Sequence, residues 1–117
     1  MAARWDVVLV DFGERPIGHE QGGTRPALVV SNDRMNRRAG IVTVCPFTST
    51  DRQLYPCEVE FSPPAGGLTM HSILMVHQVR TIAVDRIIRQ MGSIEDPVER
   101  RKVRTAVIQL FDLQERP

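Results

Sequence analysis

The feature that most constrains the fold is a series of short apolar segments separated by polar, turn-forming connectors. The segments are rich in Val, Ile and Leu, which pack well on a pleated sheet, so each predicts a β-strand. They lie at residues 6–12, 25–31, 41–47 and 72–79, with a shorter candidate at 87–91. The connectors carry Gly, Pro, Asn, Asp and Ser and lie at residues 13–24, 32–40, 48–55 and 63–69. Strands of this length and spacing predict a mainly β chain folded as a small antiparallel barrel or sandwich.

One further segment alternates strictly between apolar and acidic residues. Cys57, Val59 and Phe61 are separated by Glu58 and Glu60. Successive side chains of a strand point to opposite faces, so alternation of this kind is typical of a strand at the sheet surface. The segment therefore predicts a half-buried strand, and its two glutamates are expected on the face that contacts water.

The last part of the chain changes from strand spacing to helical spacing. Asp96 is a helix N-cap, Pro97 suits the first helical position and Glu99 completes a capping box. The apolar residues that follow at helical spacing on one face are Val103, Val107, Leu110 and Phe111. The basic residues that form the outer region are Arg100, Arg101, Lys102 and Arg104. This pattern predicts an amphipathic helix of about four turns whose apolar stripe packs on the barrel, with a basic face that is typical of solvated helices.

The length and composition indicate one globular domain. The chain has 117 residues, of which 42% are hydrophobic and 25% are charged, and these values are ordinary for a single domain. We expect residues 1–117 to form that domain. No apolar run approaches the roughly 18 residues that span a bilayer, and the first residues lack the apolar core of a secretion signal. The sequence therefore predicts a cytoplasmic protein with no membrane partner.

The charge and the metal-ligating residue types exclude several kinds of site. The formal net charge is only +1, so any nucleic-acid site must be local. Cys45 and Cys57 lack the close pairing of a zinc site. The histidines His19, His71 and His77 are not spaced as metal ligands, and no acidic pair suited to Mg²⁺ is present. We therefore expect neither a metal nor another cofactor.

The segment before the second predicted strand combines several reactive side chains with glycines. His19, Glu20 and Gln21 supply an imidazole, a carboxylate and an amide, and Arg25 ends the segment. Glycines let the backbone approach a ligand closely, and the following strand holds the polar groups in register. Because Pro26 restricts the preceding residue to an extended conformation, the guanidinium of Arg25 is aimed, and a fixed guanidinium suits a phosphate.

Arg25 also has a purely structural interpretation. A carboxylate nearby in the sequence, from Glu20 or from Asp11, could hold the guanidinium in an ion pair. The sequence leaves the phosphate site and the ion pair as alternatives.

Two further polar clusters follow predicted strands. Thr48, Ser49 and Thr50 are consecutive hydroxyls at the end of the third strand, where hydroxyls commonly cap a turn. His77 and Gln78 directly follow the apolar run of a later strand. If that strand continues, their side chains point to opposite faces. A lone histidine there is more typical of a hydrogen-bonded strand residue than of a catalytic base.

Taken in order, four segments of the chain resemble the MazF/PemK toxin family. They are residues 5–12, 20–31, 46–49 and 77–81. The most specific part is Glu-Gln-Gly-Gly-Thr-Arg-Pro at residues 20–26, and the other segments gain weight from their order and spacing. The resemblance spans nearly the whole chain. It implies an SH3-like antiparallel β-barrel with a C-terminal amphipathic helix, an α+β fold that is mainly β.

The resemblance also implies a function, partners and site residues. It implies the toxin of a type II toxin–antitoxin system, acting as a homodimer, encoded beside a cognate antitoxin and cleaving single-stranded RNA at specific sequences without a metal. The essential arginine of the family falls on Arg25 and its essential threonine on Thr48, with Glu20 and Gln21 in the loop that borders the substrate groove. The other residues assigned to RNA binding are His19, Gln21, Ser49, Gln78 and Arg80. Some relatives carry an acidic residue where this chain has His77, so no role for His77 follows from the resemblance.

Cleavage of this kind needs three chemical functions. A base must take the proton of the 2′-hydroxyl, charge on the phosphoryl oxygens must be stabilised, and the leaving 5′-oxygen must be protonated. In our interpretation Arg25 contacts the phosphoryl oxygens and is also a candidate for proton transfer, and Thr48 donates a hydrogen bond to the same group. Glu20 is the base, with His19 as its rival. A reference arginine pKa above about 12 disfavours proton transfer by Arg25. Unpaired bases would be read by the glutamines named above and by the loop at residues 51–56, where Tyr55 offers a stacking contact.

Two other functions remain open from the sequence. One is a toxin of the same fold that binds and poisons a protein target such as DNA gyrase without cutting RNA. The other is an inactive barrel that serves as a binding module or autoregulator. The joint presence of Arg25, Thr48 and the adjacent Glu20 and Gln21 favours the nuclease over both.

Overall fold

The computed structural model describes residues 2–14, 17–18, 20–38 and 40–113. Along these residues the strands are β1 (Asp6–Asp11), β2 (Thr24–Val29), β3 (Ile41–Thr48), β4 (Glu58–Phe61), β5 (Ser72–Met75), β6 (Arg80–Ala83) and β7 (Ile87–Ser93). The helices are α1 (Asp33–Arg38) and α2 (Pro97–Phe111), and 3₁₀ turns lie at Val76–Gln78 and Val84–Arg86.

The seven strands form one antiparallel sheet with β3 at its centre. Hydrogen bonding runs in the order β4-β5-β3-β2-β1-β7, and β6 is an additional partner of β3. The first half of β3, residues 41–44, pairs with β6, whereas residues 47–48 pair with β5. Among the described strands no pairing joins β7 to β4 or β6, so the barrel-like sheet does not close. The predicted antiparallel β fold with a C-terminal helix is confirmed.

Apolar side chains pack in two clusters. One cluster lies between the sheet and α2, and the other is formed by residues of β1, β2, β3 and β6. In the first cluster the rings of Phe47 and Phe61 meet edge to face, with centroids 5.6 Å apart, an arrangement that aromatic pairs prefer. Phe47 belongs to β3 and is only 1% exposed. Its packing therefore fixes the end of β3, on which one candidate site residue lies.

The helix α1 was not predicted, because residues 32–40 were interpreted as a connector. The Asn32 side chain accepts a hydrogen bond from the Met35 amide at 2.8 Å and caps the helix. Asn36 is buried and hydrogen-bonds with Ser31 through both its side-chain oxygen and its side-chain nitrogen. This six-residue helix depends on polar bonds to the preceding strand end, so it has no apolar periodicity from which the sequence could predict it.

The predicted strand over residues 72–79 is wrong in its second half. β5 ends at Met75, and the next three residues form the 3₁₀ turn Val76–Gln78, which the Val79 amide closes by donating to the Val76 carbonyl at 3.0 Å. The turn allows the chain to leave one half of β3 as β5 and pair with the other half as β6. His77 and Gln78 consequently belong to a turn, and the expectation that they alternate across a strand does not hold.

The C-terminal helix follows its sequence signals closely. Asp96 caps α2 by accepting a hydrogen bond from the Val98 amide at 2.8 Å. Val103 and Ala106 are buried against the sheet, but Phe111 is 54% exposed and does not belong to the buried stripe. Within the part of the chain that the structure describes, no helix is long and apolar enough to cross a membrane.

Candidate active site

Arg25 is held at the start of β2 by main-chain oxygens. Its Nε donates to the Gly22 carbonyl at 3.1 Å, and its Nη1 donates to the Phe47 carbonyl at 3.3 Å. The backbone of Arg25 pairs with Val10 of β1, so the residue is anchored in the sheet as well as through its side chain. Because Phe47 is itself fixed in the core, the guanidinium has a defined position at the sheet end.

The guanidinium of Arg25 has no carboxylate partner among the residues that the structure describes. The ion pairs with Glu20 and Asp11 that the sequence left open are therefore not formed. Partial burial lowers the pKa of Arg25, although a guanidinium stays protonated at neutral pH. A half-buried cation that is held by carbonyl oxygens, which do not neutralise it, is suited to bind an anion.

The sheet register brings Thr48 next to Arg25. Ala27 pairs with Pro46 in the antiparallel β2–β3 ladder, and the same register continued toward the start of β2 places Arg25 opposite Thr48. Both line a cavity of about 260 Å³. The residues that line it are Thr24, Arg25, Pro26, Phe47, Thr48, Ser49, Leu68, Thr69, Met70, Ser72 and Met91. The structure therefore brings together the two residues that the resemblance names as essential, together with Ser49.

One wall of this cavity is held by close backbone packing. Gly66 and Gly67 have φ values of 55° and 75°, a backbone conformation that residues other than glycine rarely adopt. A Cβ on Gly67 would lie 2.2 Å from the carbonyl oxygen of Met91 in β7. This contact sets the position of residues 68–70, which line the cavity.

The hydroxyls at the end of β3 remain accessible. The Oγ1 atoms of Thr48 and Thr50 are 3.1 Å apart in a hydrogen bond that either atom can donate, and Ser49 is exposed. The bond to Thr50 orients the Thr48 hydroxyl while leaving one of the two hydroxyls able to donate to a ligand.

The other described site residues line a second cavity, of about 250 Å³. Its lining residues are Glu20, Gln21, Pro46, His77, Gln78, Val79 and Arg80. Pro46 borders this cavity and Phe47 borders the Arg25 cavity, so consecutive residues of β3 separate the two. The guanidinium of Arg80 lies 5.4 Å from the centroid of the Phe12 ring. His19, which was also assigned to this site, lies outside the described residues.

A polar network beside the second cavity was not predicted from the sequence. The side chain of Glu58 is entirely inaccessible to solvent, which corrects the expectation that it faces water as Glu60 does. Its two oxygens each accept a hydrogen bond at 2.8 Å from Arg52. The backbone amide of Tyr55 donates to the same carboxylate at 2.6 Å, and His77 Nε2 lies 2.9 Å from it.

These hydrogen bonds keep Glu58 ionised. Burial alone would raise the pKa of the carboxyl, but the hydrogen bond from Arg52 lowers it. The bonds from the Tyr55 amide and from His77 lower it further, and the resulting pKa is about 2. An ionised carboxylate only accepts hydrogen bonds, so His77 Nε2 carries the proton that it shares with Glu58. No sequence pattern indicated this network, because Arg52, Glu58 and His77 belong to different predicted segments.

No metal centre is apparent in the described ranges. No group of three or more His, Cys, Asp or Glu residues within them could hold a metal ion. Cys45 is buried, and burial raises the pKa of its thiol to about 12. A thiol with this pKa is neutral at physiological pH and is a poor nucleophile or ligand.

Comparison with known proteins places the chain in a family. Residues 3–111 match the PemK-like, MazF-like toxins of type II toxin–antitoxin systems. Endoribonuclease MazF9 of Mycobacterium tuberculosis is 39% identical over 99 residues, which cover 80% of this chain and 83% of the relative. Endoribonuclease EndoA of Bacillus subtilis is 32% identical over 94 residues, which cover 80% of each chain.

A solved structure from a mycobacterial species, described as an endoribonuclease in complex with its cognate antitoxin, superposes with a TM-score of 0.80. The match covers 99% of this chain and 100% of that one at 23% identity, and at this identity it concerns the fold alone. The family match and the two relatives carry the assignment, and they confirm the resemblance found in the sequence. This chain belongs to the PemK-like, MazF-like toxins of type II toxin–antitoxin systems.

Proposed function

We propose that this toxin is an endoribonuclease that cuts single-stranded RNA at specific sequences without a metal ion. The observation that carries the proposal is the state of Arg25, a partly buried guanidinium that is held by two carbonyl oxygens and shares a cavity with Thr48. A phosphodiester supplies the negative charge that this cavity lacks. The related enzymes of M. tuberculosis and B. subtilis are named endoribonucleases, which supports the same activity here.

The proposed reaction is an attack of the ribose 2′-hydroxyl on the adjacent phosphorus. The new bond joins O2′ to phosphorus and the bond to O5′ breaks. The leaving O5′ takes a proton from water, so the products are a 2′,3′-cyclic phosphate and a free 5′-hydroxyl. Arg25 stabilises the charge that develops on the phosphoryl oxygens, and the Thr48 hydroxyl donates to the same group. A rigid guanidinium in a site of reduced solvent access stabilises this charge more strongly than it would in water.

The proton of the 2′-hydroxyl requires a base, and we assign this role to Glu20, with His19 as the rival candidate. Glu20 lines the second cavity and not the one that holds Arg25. The RNA must therefore extend into both cavities, with the phosphate on the Arg25 side. Gln21, Ser49, Gln78 and Arg80 would then bind nucleotides on either side of the cut bond.

The proposal includes partners and a cellular location. We infer that the chain acts as a homodimer of the single domain 1–117 in the cytoplasm and is inhibited by a cognate antitoxin. The family consists of toxins of toxin–antitoxin systems, and the superposed mycobacterial endoribonuclease was solved with its antitoxin. An acidic antitoxin segment that covers Arg25 would block the phosphate site directly.

The test is cleavage of a long single-stranded RNA by the purified toxin in excess EDTA, with the new ends mapped. Discrete cuts that leave 2′,3′-cyclic phosphate ends, and that Arg25→Ala abolishes, are the expected result. Intact RNA at high enzyme concentration would contradict the nuclease and favour a toxin that binds a protein target. Cleavage that depends on added Mg²⁺ would contradict the metal-independent chemistry.

A further inference from the structure

The Glu58 network joins the loop that carries Tyr55 to the 3₁₀ turn whose His77 and Gln78 line the second cavity. One carboxylate binds Arg52 through both of its oxygens, the backbone amide of Tyr55, and His77 in the 3₁₀ turn. Short hydrogen bonds to an ionised, fully covered carboxylate are among the stronger ones that proteins form. The loop that carries Tyr55 is consequently tied to the turn that carries His77, although 22 positions (from 55 to 77) separate them in the sequence.

The aromatic ring of Tyr55 is presented to solvent by this network. Tyr55 is 58% exposed, and the guanidinium carbon of Arg52 lies 4.2 Å from its ring centroid. Arg52 cannot move away from the ring without breaking its bidentate bond to Glu58. An exposed aromatic side chain normally samples several rotamers, but this ring is restrained by a fixed cation and by its own anchored backbone.

We propose that Tyr55 is a stacking platform for one unpaired base of the RNA, with Glu58 as the positioning residue. The inference rests on the proposed nuclease function and names one nucleotide subsite of that substrate. A base suits this surface better than a phosphate, because Glu58 already neutralises the charge of Arg52. Every nucleobase has a π-face, so stacking supplies affinity with little choice between bases.

The position of His77 connects this platform to the rest of the proposed groove. Its side chain is 30% exposed, and it lines the second cavity with Gln21 and Gln78. Because Glu58 binds both His77 and the Tyr55 amide, the stacked base would lie next to the nucleotide in that cavity. The subsite is therefore expected beside the part of the second cavity that His77 lines.

The first test measures RNA binding without cleavage. A fluorescent RNA that contains the mapped cut sequence, with 2′-deoxyribose at the cut position, is titrated with the full chain and followed by anisotropy. Tyr55→Ala is expected to weaken binding about tenfold, the loss typical of one stacked base, whereas Tyr55→Phe keeps the ring and retains tight binding. The matched control is Ile88→Ala, which removes an equally exposed apolar side chain (56%) outside both cavities.

The second test locates the base. Abasic nucleotides are introduced one at a time on both sides of the cut position, and each RNA is titrated with wild type and Tyr55→Ala. At one position the abasic RNA should bind both proteins equally, because the stacking partner is already absent. If the ratio of the wild-type affinity to the Tyr55→Ala affinity is the same for every abasic position, the assignment of a stacked base is overturned.

The positioning role of Glu58 has its own readout. Glu58→Gln should raise the KM for RNA cleavage several-fold and leave kcat nearly unchanged. In the Glu58→Gln background, Tyr55→Ala should raise KM much less than it does in wild type. Circular dichroism and thermal unfolding establish that the variant is folded. A fall in kcat at constant KM would contradict the positioning role.

These outcomes separate the stacking platform from the nuclease. If wild type cuts RNA and Tyr55→Ala binds the uncleavable RNA as tightly as wild type does, the platform is refuted and the nuclease stands. If a long fluorescent single-stranded RNA binds in a Tyr55-dependent way but is never cut, the platform stands and the nuclease is refuted. Weakened binding of the antitoxin alone by Tyr55→Ala would identify the ring as a protein contact and would also refute the platform.

Discussion

Arg25 and Arg52 are two partly buried arginines, but their partners differ. Arg25 donates to the carbonyl oxygens of Gly22 and Phe47, whereas Arg52 forms a bidentate ion pair with Glu58. Carbonyl oxygens orient a guanidinium without cancelling its charge. The first arrangement leaves a cation available to a substrate phosphate, and the second uses the cation to shape the surface.

The pKa values follow the same contrast. Burial without a counter-charge lowers the pKa of Arg25, while the hydrogen bonds that Arg52 donates to Glu58 raise the pKa of Arg52. The protein thus stabilises the charge of one arginine itself and leaves the other to be stabilised by a ligand. Residues that are stabilised within the protein, such as Arg52, are expected to govern stability. Residues that are left for a ligand to stabilise, such as Arg25, are expected to govern catalysis.

The largest effect is expected from Arg25→Ala. Loss of the cation that faces the phosphoryl oxygens should reduce the RNA cleavage rate about 10³-fold, while the thermal unfolding midpoint changes little, because no ion pair is broken. The matched control is Arg101→Ala on the exposed side of α2, which should cleave as wild type does. A cleaving Arg25→Ala variant would remove the distinction between the two arginines.

The next effect is expected from Thr48→Val, which replaces the hydroxyl by a methyl group of similar size. Loss of one hydrogen-bond donor to the phosphoryl group should lower kcat about 10²-fold with KM nearly constant. Thr50→Val, which removes the hydroxyl that contacts Thr48, should have a much smaller effect. Equal losses in the two variants would show that the hydroxyl pair acts as a turn cap and not as a donor to the substrate.

Glu58→Gln should affect stability instead of chemistry. It removes the charge from a fully covered carboxylate that binds Arg52, so the free energy of unfolding should fall by about 2 kcal/mol in urea titrations. Glu60→Gln on the same strand is the matched control. Glu60 is exposed and lies 3.3 Å from His71, and its loss should cost less than about 0.5 kcal/mol. Similar costs for the two variants would contradict the structural role of the Glu58 network.

The last expected effect is a pH dependence of stability that originates from Glu58. Its pKa is about 2 in the folded protein and 4.5 as a free side chain. As the pH is lowered, Glu58 is protonated in the unfolded chain before it is protonated in the folded protein. The stabilisation is therefore complete above about pH 4.5 and is lost as the pH falls toward about 2. Urea unfolding of wild type should show this decline more steeply than Glu58→Gln does. Parallel curves for the two proteins would place the acid sensitivity elsewhere.

Much of the candidate site followed from local sequence. The glycine-rich segment before Arg25 and the restriction by Pro26 indicated an aimed guanidinium, and the hydroxyls at residues 48–50 marked the end of β3. The Glu58 network did not follow, since Glu58 and Glu60 occupy equivalent places in the same alternating pattern. Glu58 alone is hydrogen-bonded to Arg52 and His77, and these contacts make it a covered, ionised carboxylate.

The sequence by itself determined most of the strands and the capped C-terminal helix, and its resemblance to the toxin family indicated the candidate site residues. The strands and the helix depend on side-chain periodicity and on turn and cap preferences, which act over a few neighbouring residues. Only the tertiary structure decided that Arg25 shares a cavity with Thr48 while Glu20 lines the next one. Strand register and the 3₁₀ turn after β5 fix these neighbours, and both depend on pairings between segments that are distant in the chain.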